Sequence, residues 1–252
     1  MKQSLESLRG KKALITGGSS GIGAHLAATL AWAGVHVLLT GRREAELERV
    51  AERICRAGGQ ATVRCLDVTD TGSIAAMEGL LEPIDILVNN AGVVKEGAAV
   101  DMPEADWDLV VDTNLKGMFL MAQACARAMV KQEKAGSIIN VASILGLRQA
   151  SGVLSYAVSK AGVIQLTKTL ALEWARFGIR VNAIAPGYLD TELNRDFWST
   201  EAGAALVRRI PQRRLGRLED LDGPTLLLAS DAAAYMTGTV LAVDGGHLVS
   251  SL

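Results

Sequence analysis

The stretch KALITGGSSGIG, residues 12–23, joins an apolar run to a glycine-rich turn and decides the fold. Its first residues predict a buried strand, and the alanine- and leucine-rich residues that follow it predict a helix. Glycines between a first strand and a first helix let the backbone approach a pyrophosphate, which the helix N-terminus attracts. A merely tight turn is the alternative. We expect these residues to contact a dinucleotide: Gly17, Ser19, Ser20, Gly21, Ile22 and Gly23.

The rest of the chain repeats this alternation of short β-branched runs and longer helical ones. Several runs are apolar almost throughout, as in a parallel sheet that is covered on both faces. The pattern predicts a single α/β domain over residues 1–252, with a doubly wound, mostly parallel Rossmann sheet and helices on both faces. The seven predicted strands lie in KALITG, VHVLLTG, ATVRCLDV, DILVNNAG, SIINVAS, IRVNAIAPG and GTVLAVDGG.

Two longer segments stand out from the alternation. A helix is expected from about Asp106 to Lys131. The segment from about 188 to 216 is the least regular, and we expect it to leave the sheet as a lid over the substrate. A further helix, which contains Tyr156, is expected to end at Gly178, where a left-handed cap fits.

The end of the second predicted strand, TGRRE, indicates which dinucleotide binds. A fold of this kind that prefers NAD usually has an acid there, which binds the ribose 2′-hydroxyl. Gly41 stands at that place, followed by Arg42 and Arg43, and arginines suit a 2′-phosphate. We therefore expect NADP, with NAD as the weaker alternative. Both arginines could instead only begin a solvated helix, and Ser20 adds no further positive charge.

Two further strand ends supply candidate cofactor contacts. Asp67 and Val68 end the third strand, where they would meet the adenine. NNAG, residues 89–92, ends the fourth strand with small residues beside which a cofactor could lie close to the backbone. Ligands of open parallel sheets bind beyond the carboxyl ends of the strands. We therefore expect Asn89, Ala91 and Gly92 to line the site.

Tyr156 and Lys160 stand four residues apart in a predicted helix and so share one face. A free phenol has a pKa of about 10, which a nearby ammonium lowers. Such a phenol can exchange a proton with an alkoxide. Ser143, just after the fifth strand, has a hydroxyl that could hold the same oxygen. Asn114 lies within the long helix, where it is either solvated or holds something such as a water.

These motifs, in this order, resemble the short-chain dehydrogenase/reductase family over nearly the whole chain. The family's TGxxxGxG turn is matched from Thr16 to Gly23, and its NNAG motif by residues 89–92. The resemblance implies that Asn114, Ser143, Tyr156 and Lys160 are catalytic in hydride transfer between nicotinamide and a carbonyl carbon. It implies that Tyr156 exchanges the proton, that Lys160 lowers its pKa and binds the nicotinamide ribose, and that Asn114 holds a water.

The resemblance carries two further implications. Pro186 and Gly187 match the family's PG after the sixth strand, and Thr191 matches a threonine that contacts the nicotinamide carboxamide. Members of the family are commonly homotetramers, which pack through the two long helices and the C-terminal strand.

The substrate stays open between two kinds of small molecule. IAPGYLDTEL and VDGGHLVSSL are similar to sugar-acid dehydrogenases of the gluconate 5-dehydrogenase kind, and the chain is also not far from 3-oxoacyl-thioester reductases. His247 is expected at the surface, with the approach to a neighbouring site in a tetramer as the alternative. Candidate walls of the substrate pocket are Val93, Val94, Leu145, Gln149, Leu154, Tyr188 and the stretch 193–198.

The composition narrows the possible function classes. The 252 residues carry a net charge of −1 and no basic stripe with interleaved aromatics, so we expect neither a nucleic acid nor a membrane as partner. Three cysteines without metal-like spacing are expected as reduced thiols in a cytoplasmic protein, and no metal site is expected. A sensor that binds NADPH without turnover is the alternative of another class, disfavoured because all four catalytic residue types are present.

Overall fold

The computed structural model describes residues 6–78, 84–190 and 195–250. Within them lies a seven-stranded sheet of order β3-β2-β1-β4-β5-β6-β7, in which all neighbouring strands are parallel. The doubly wound α/β sheet predicted from the sequence is therefore confirmed. The strands are β1 (Lys12–Thr16), β2 (His36–Gly41), β3 (Gln60–Cys65), β4 (Ile86–Asn89), β5 (Gly136–Val141), β6 (Ile179–Pro186) and β7 (Val240–Val243).

Helices connect the strands and cover both faces of the sheet. Short 3-10 turns also follow several strands and helices. The α-helices are α1 (Gly21–Trp32), α2 (Glu44–Arg56), α3 (Thr71–Glu78), α4 (Glu104–Val111), α5 (Gly117–Lys131), α6 (Leu154–Trp174), α7 (Arg195–Trp198), α8 (Glu201–Arg209) and α9 (Asp222–Ala229).

The central strand β1 shows why the runs are apolar throughout. Ala13 and Ile15 pack into a core that includes residues of α1, α2 and α9. Leu14, between them, packs into a second core that includes residues of α3, α5 and α6. Successive side chains of a strand point to opposite faces, so a sheet covered on both faces needs an apolar residue at every position.

The sheet places the carboxyl ends of all seven strands at one edge. Chain order reverses between β1 and β4, which is the point where such sheets bind ligands. The glycine-rich turn after β1 and the NNAG segment after β4 meet there. The sequence motifs therefore converge at one crevice although they are far apart along the chain.

The long helix predicted from about Asp106 starts earlier and is not uniform. It begins at Glu104 and ends at Lys131 as expected, but a π-helical turn, Asp112–Lys116, separates α4 from α5. Such turns insert one extra residue and are frequent at functional sites. Helix α6 is followed by a 3-10 turn that ends at Gly178, whose φ of +72° is the expected left-handed cap.

The segment that follows β6 leaves the sheet, as its irregular sequence predicts. Leu189 and Gly216 form an isolated parallel bridge, so the two ends of the excursion lie side by side. Between them lie the short helix α7 and helix α8. None of the helices in the described part of the chain is long and apolar enough to cross a membrane.

Candidate active site

The glycine-rich turn between β1 and α1 has no room for side chains at two of its glycines. A Cβ built on Gly17, whose φ is +66°, would lie 2.9 Å from the Ala91 Cα. A Cβ on Gly23 would lie 2.3 Å from the Gly17 carbonyl oxygen. A Cβ on Gly21, the first residue of α1, would meet nothing within 4 Å. The turn is therefore closed against the NNAG segment and open at the helix N-terminus, where N–H groups attract an anion.

Thr16 and Asn90 hold the two segments together. The Thr16 hydroxyl accepts hydrogen bonds from the backbone N–H groups of Asn90 (2.9 Å) and Ala91 (3.0 Å). The Asn90 side chain donates to the carbonyl oxygens of Thr16 and Gly17 at 3.1 and 3.2 Å. Asn90 was not among the predicted site residues, although it lies inside the NNAG motif, which was the available signal.

The Arg43 side chain contacts the glycine-rich turn instead of extending only into solvent. One of its terminal nitrogens donates to the hydroxyl oxygens of Ser19 (2.8 Å) and Ser20 (2.7 Å). Ser19 and Ser20 thus add hydroxyl groups, though no charge, to the guanidinium at the end of β2. The arrangement presents several donors at one point, which is the chemistry that a phosphate group requires.

Arg42 leans toward the end of β3. Its guanidinium lies 3.9 Å from the Asp67 carboxylate, and its side chain is 62% exposed. Burial raises the pKa of Asp67, but hydrogen bonds from Thr69 and the charge of Arg42 outweigh burial, so the pKa lies below its ordinary value. Val68, the next residue, is buried against Gly117 at the start of α5. Arg42, Asp67 and Val68 therefore border the same side of the crevice.

The NNAG segment contributes backbone more than side chains. The Asn89 side chain is buried and donates to the Met118 carbonyl oxygen and to the Asn140 side chain. A Cβ on Gly92 would lie 3.2 Å from the Asn114 side chain, so the segment passes close to the π-helical turn. Asn89 thus ties β4 to β5 and α5, while Ala91 and Gly92 leave the backbone accessible beside the glycine-rich turn.

The end of β6 closes the far side of the crevice. Gly187 donates its backbone N–H to the Val243 carbonyl oxygen at 2.9 Å, and a Cβ on it would lie 2.8 Å from the Asp244 Cα. Pro186, the last residue of β6, pairs with Val243 of β7. Thr191 lies outside the described residues.

Tyr156 and Ser143 meet at the end of β5. Tyr156 lies in the first turn of α6, and its phenol lies close enough to the Ser143 hydroxyl for that hydroxyl to affect its pKa. The backbone N–H of Leu145 donates to the same serine oxygen at 3.1 Å and so fixes its position. Burial raises the pKa of Tyr156, and the Ser143 hydroxyl opposes that rise. In the protein by itself the lowered phenol pKa expected from the sequence is not found.

Lys160 lies beside the Tyr156 ring without bringing the phenol pKa below its ordinary value. Its ammonium group lies 5.6 Å from the centre of the Tyr156 ring, and it donates a hydrogen bond of 2.7 Å to the Val141 carbonyl oxygen. The side chain is buried, and burial lowers the pKa of Lys160 to about 8. With this pKa the Lys160 ammonium group stays mostly charged near pH 7, although it loses its proton more easily than an ordinary lysine.

Asn114 is fully buried in the π-helical turn rather than solvated. Its side-chain oxygen accepts from the Val93 N–H at 2.8 Å, and its side-chain nitrogen donates to the Val93 carbonyl oxygen at 2.9 Å. The same nitrogen donates to the Ser159 hydroxyl at 3.2 Å, next to Lys160. Both amide hydrogens are therefore used inside the protein, and a water held by Asn114 would need another of its atoms.

The other end of the crevice is formed by an aromatic group in the segments that follow β6 and β7. The Tyr188 ring lies edge-on to Trp198 of α7, with 5.4 Å between ring centres. On another side it lies 5.5 Å from the His247 ring. His247 was expected at the surface but is only 4% exposed. Its burial follows from the parallel pairing of β6 and β7, which brings the segments after both strands together.

The remaining candidates for the pocket wall are spread along its rim. Leu145 is partly buried, whereas Val94 and Leu154 are 43% and 40% exposed. Gln149 is exposed, and Leu193 lies outside the described residues. Among the described residues, no group of three His, Cys, Asp or Glu side chains is placed to hold a metal ion.

Comparisons with known proteins show which family the chain resembles. A family model described as enoyl-(acyl carrier protein) reductase matches residues 17–247. The 2-dehydro-3-deoxy-D-gluconate 5-dehydrogenase of Dickeya dadantii (strain 3937) is 39% identical over 247 residues, which cover 96% of this chain and 97% of that protein. The 3-oxoacyl-(acyl-carrier-protein) reductase FabG of Thermotoga maritima is 39% identical, with 96% of this chain and 99% of that protein covered.

The structural neighbours show the same relationship. A gluconate 5-dehydrogenase from Burkholderia cenocepacia J2315, crystallised with NADP and tartrate, superposes with a TM-score of 0.91 at 37% identity and covers 98% of this chain and 99% of its own. The matches extend over nearly the whole chain, and the glycine-rich turn, NNAG, Ser143, Tyr156 and Lys160 meet in one crevice. The chain belongs to the short-chain dehydrogenase/reductase family of oxidoreductases.

Proposed function

We propose that the protein is an NADP(H)-dependent oxidoreductase that transfers a hydride between nicotinamide and a ketone or secondary alcohol, with Tyr156 as the general acid and base. The contact between Tyr156 and Ser143 beside the glycine-rich crevice is the observation that carries this proposal. It places a proton donor and a second hydroxyl at the same point, where one carbonyl oxygen can bind both. General acid–base catalysis requires this geometry first, and a suitable pKa second.

In the direction of reduction, the residues act on the carbonyl oxygen while a bound nicotinamide supplies the hydride. Tyr156 gives its phenolic proton to that oxygen as negative charge develops on it. Ser143 holds the same oxygen through its hydroxyl, whose position Leu145 fixes. In oxidation the phenolate takes the proton back from the alcohol. The raised pKa of Tyr156 keeps the phenol protonated, which suits proton donation.

Lys160 is assigned two tasks in this mechanism. One of its hydrogens is used by the Val141 carbonyl oxygen, and the other two would bind the hydroxyl groups of the nicotinamide ribose. Its ammonium charge, 5.6 Å from the Tyr156 ring centre, would stabilise the phenolate that forms during reduction. Asn114 would support Lys160 through Ser159 and through the water that the family resemblance implies.

The residues of the crevice fit NADP better than NAD. The glycine-rich turn leaves the backbone bare at Gly21, where a pyrophosphate would lie. Arg43 would bind the 2′-phosphate together with Ser19 and Ser20, and Arg42 would cover the adenine above Asp67. Position 41 is a glycine, so no acidic side chain there would repel that phosphate. The related gluconate 5-dehydrogenase crystallised with NADP supports this choice, and NAD stays the weaker cofactor.

The remaining cofactor contacts and the substrate are proposed from the family. Val68, Asn89, Ala91 and Gly92 would flank the adenosine and nicotinamide ribose, and Pro186, Gly187 and Thr191 the nicotinamide. The relatives named above act, by their names, on sugar acids or on 3-oxoacyl thioesters, and both stay candidate substrates. A sensor that binds NADPH without turnover is less well supported, because all four catalytic residue types are present and the Tyr156 phenol lies near the Ser143 hydroxyl.

The domain organisation, the oligomeric state and the cellular location are also proposals. The described residues support one domain over 1–252, with the segment at about 188–216 as the lid over the substrate. Helices α4, α5 and α6 leave large apolar side chains exposed, including Leu109, Val130 and Leu172, the last 82% exposed. A homotetramer that packs through these helices would cover them. The exposed thiols of Cys55 and Cys65 are consistent with the reducing cytoplasm.

Initial rates with NADPH and NADH test the proposal directly. The panel holds sugar acids, 3-oxoacyl thioesters and simple ketones, assayed in both directions. We expect turnover with one substrate class and a strong preference for NADPH. Equal rates with NADPH and NADH would contradict the proposed role of Arg43 in binding the 2′-phosphate. Tight NADPH binding without turnover of any substrate class would favour the sensor.

A further inference from the structure

Three side chains that the mechanism does not use come together beyond the carboxyl ends of β5, β6 and β7. Arg148 lies in the loop after β5, Tyr188 after β6 and His247 after β7, at three neighbouring strand ends. One terminal nitrogen of Arg148 donates to the His247 carbonyl oxygen at 2.7 Å. The Tyr188 ring centre lies 5.5 Å from that of His247. The three residues therefore form one cluster, although 99 positions separate Arg148 from His247.

The cluster is next to the proposed catalytic tyrosine. Tyr188 is close enough to Tyr156 to contribute to the raised pKa of Tyr156, after burial and against the effect of the Ser143 hydroxyl. Arg148 in turn acts on Tyr188, since burial raises the pKa of Tyr188 and the charge of Arg148 opposes the rise. Tyr188 therefore interacts electrostatically with both Tyr156 and Arg148.

The electrostatic surroundings of the cluster are positive. Burial lowers the pKa of His247, and the charges of Arg148 and Arg209 lower it further, whereas Asp244 opposes them. The Asp244 carboxylate is already bound, because it accepts from the N–H groups of Gly246 at 2.9 Å and Leu248 at 2.7 Å. It keeps its negative charge and offsets part of the positive charge that Arg148 and Arg209 place near His247.

The cluster also contains a buried polar atom that needs a partner. His247 is 4% exposed, and its Nδ1 makes no hydrogen bond with any described residue. A buried polar group without a partner costs free energy, and native proteins rarely keep one unless a ligand or water completes it. Arg148 uses one nitrogen for the His247 carbonyl oxygen and keeps further N–H donors.

We propose that Arg148 and His247 form the carboxylate-binding end of the substrate site, so that the substrate is a short oxo or hydroxy acid. The proposal rests on the proposed function, since it names the substrate class of the same site. Arg148 would donate its remaining N–H groups to the carboxylate, a charge-assisted contact, and His247 would contribute through Nδ1. Tyr188 would pack against the carbon chain between the carboxylate and the reacting carbonyl group. Of the two candidate substrate kinds, this arrangement favours the sugar acid.

The test measures binding without turnover. Calorimetry on the protein saturated with NADPH, which cannot oxidise these alcohols, compares gluconate and tartrate with their neutral counterparts, sorbitol and threitol, which lack the carboxylates. The wild type is expected to bind at least one acid more than tenfold more tightly than its neutral counterpart. Arg148→Gln should lose this preference and Arg148→Lys should keep part of it. Arg56→Gln, on the surface of α2, is the matched control and should bind like the wild type.

A second variant separates the ligand contact from a structural role of Arg148. His247→Leu retains the backbone carbonyl oxygen that Arg148 binds but removes Nδ1. It should weaken acid binding severalfold while NADP affinity and the melting temperature stay near wild-type values. Equal affinity of the wild type for acids and neutral counterparts, no binding of either acid, or wild-type acid binding by Arg148→Gln would overturn the proposal.

The proposed function can fail separately. Acid binding that depends on Arg148 in a protein without turnover would contradict the oxidoreductase activity but retain the carboxylate site. Turnover of neutral ketones without acid binding that depends on Arg148 would retain the activity and overturn the carboxylate site.

Discussion

The Lys160 ammonium group donates a hydrogen bond of 2.7 Å to the carbonyl oxygen of Val141, the last residue of β5. This bond anchors the face of α6 that carries Tyr156 and Lys160 to the strand end where Ser143 follows. It also places a charge in a site where the side chain is only 3% exposed, and burial lowers the pKa of Lys160 to about 8. The lysine that the proposed mechanism requires therefore lowers the stability of the folded protein.

Replacing Lys160 with methionine should reveal that effect through pH. The folded pKa of about 8 is below the unfolded value of 10.5, so the unfolded chain binds more protons between these values. Wild-type stability relative to Lys160→Met should therefore rise by about 3 kcal/mol from pH 7 to pH 10.5, since one pKa unit is worth about 1.4 kcal/mol. Denaturant unfolding of both proteins at several pH values measures it.

The comparison cancels other groups that titrate in the alkaline range, because both proteins contain them. The loss of the hydrogen bond to Val141 is independent of pH and shifts the variant by a constant amount. A stability difference that stays flat across this pH range would show that Lys160 is not held in its buried site.

Arg43→Ala should weaken NADPH binding and leave NADH binding nearly unchanged. Arg43 donates to Ser19 and Ser20 at the place where the 2′-phosphate would lie. A charge-assisted hydrogen bond contributes about 1.5–3 kcal/mol, so the dissociation constant for NADPH should rise about 10- to 100-fold. Fluorescence titration with each cofactor gives both constants. An equal loss of affinity for NADPH and NADH would point to a damaged turn instead of a lost phosphate contact.

Gly23→Ala should lower both stability and cofactor affinity. The added Cβ would lie 2.3 Å from the Gly17 carbonyl oxygen, so the turn must shift at a cost of about 1–3 kcal/mol. Gly223→Ala is the matched control, because Gly223 lies in α9 with nothing within 4 Å of its Cβ position. The control should gain roughly 0.5–1 kcal/mol. Thermal melting with and without NADPH compares them, and a Gly23→Ala protein that melts like the wild type would refute the packing argument.

Leu172→Glu should break the proposed tetramer without unfolding the chain. Leu172 is 82% exposed on α6, so the change removes no buried contact within one protomer. A charge in an apolar interface would cost several kcal/mol in each copy. Sedimentation should show a smaller species than the wild type at the same helix content. An unchanged mass would place the interface elsewhere.

Local motifs account for the parts of the site that the sequence could predict. The strand, glycine-rich turn and helix around Gly17 and Gly23 are contiguous, and Tyr156 and Lys160 share a face through helical spacing alone. Their positions relative to one another followed from the rule that ligands bind at the carboxyl ends of parallel strands. That rule placed Arg43, Asn89 and Ser143 at the same edge without any knowledge of contacts.

Other features depend on contacts that no local pattern contains. The pairing of β6 with β7 buries His247 beside Tyr188, although the residue lies near the end of the chain and was expected at the surface. The bond from Arg148 to His247 joins two loops. The π-helical turn at Asn114 inserts one extra residue into the long helix. The spacing of the apolar residues along that helix does not reveal the insertion.

The central claim is that Tyr156 gives and takes the proton, and Tyr156→Phe tests it most directly. The measurement is the rate of ketone reduction at saturating NADPH, with NADPH affinity measured on the same preparation. The account predicts a rate lower by roughly 10²- to 10⁴-fold and an NADPH affinity within about threefold of the wild type, because only the phenolic oxygen is removed. A variant that binds NADPH normally and reduces the ketone at near wild-type rate would contradict the account.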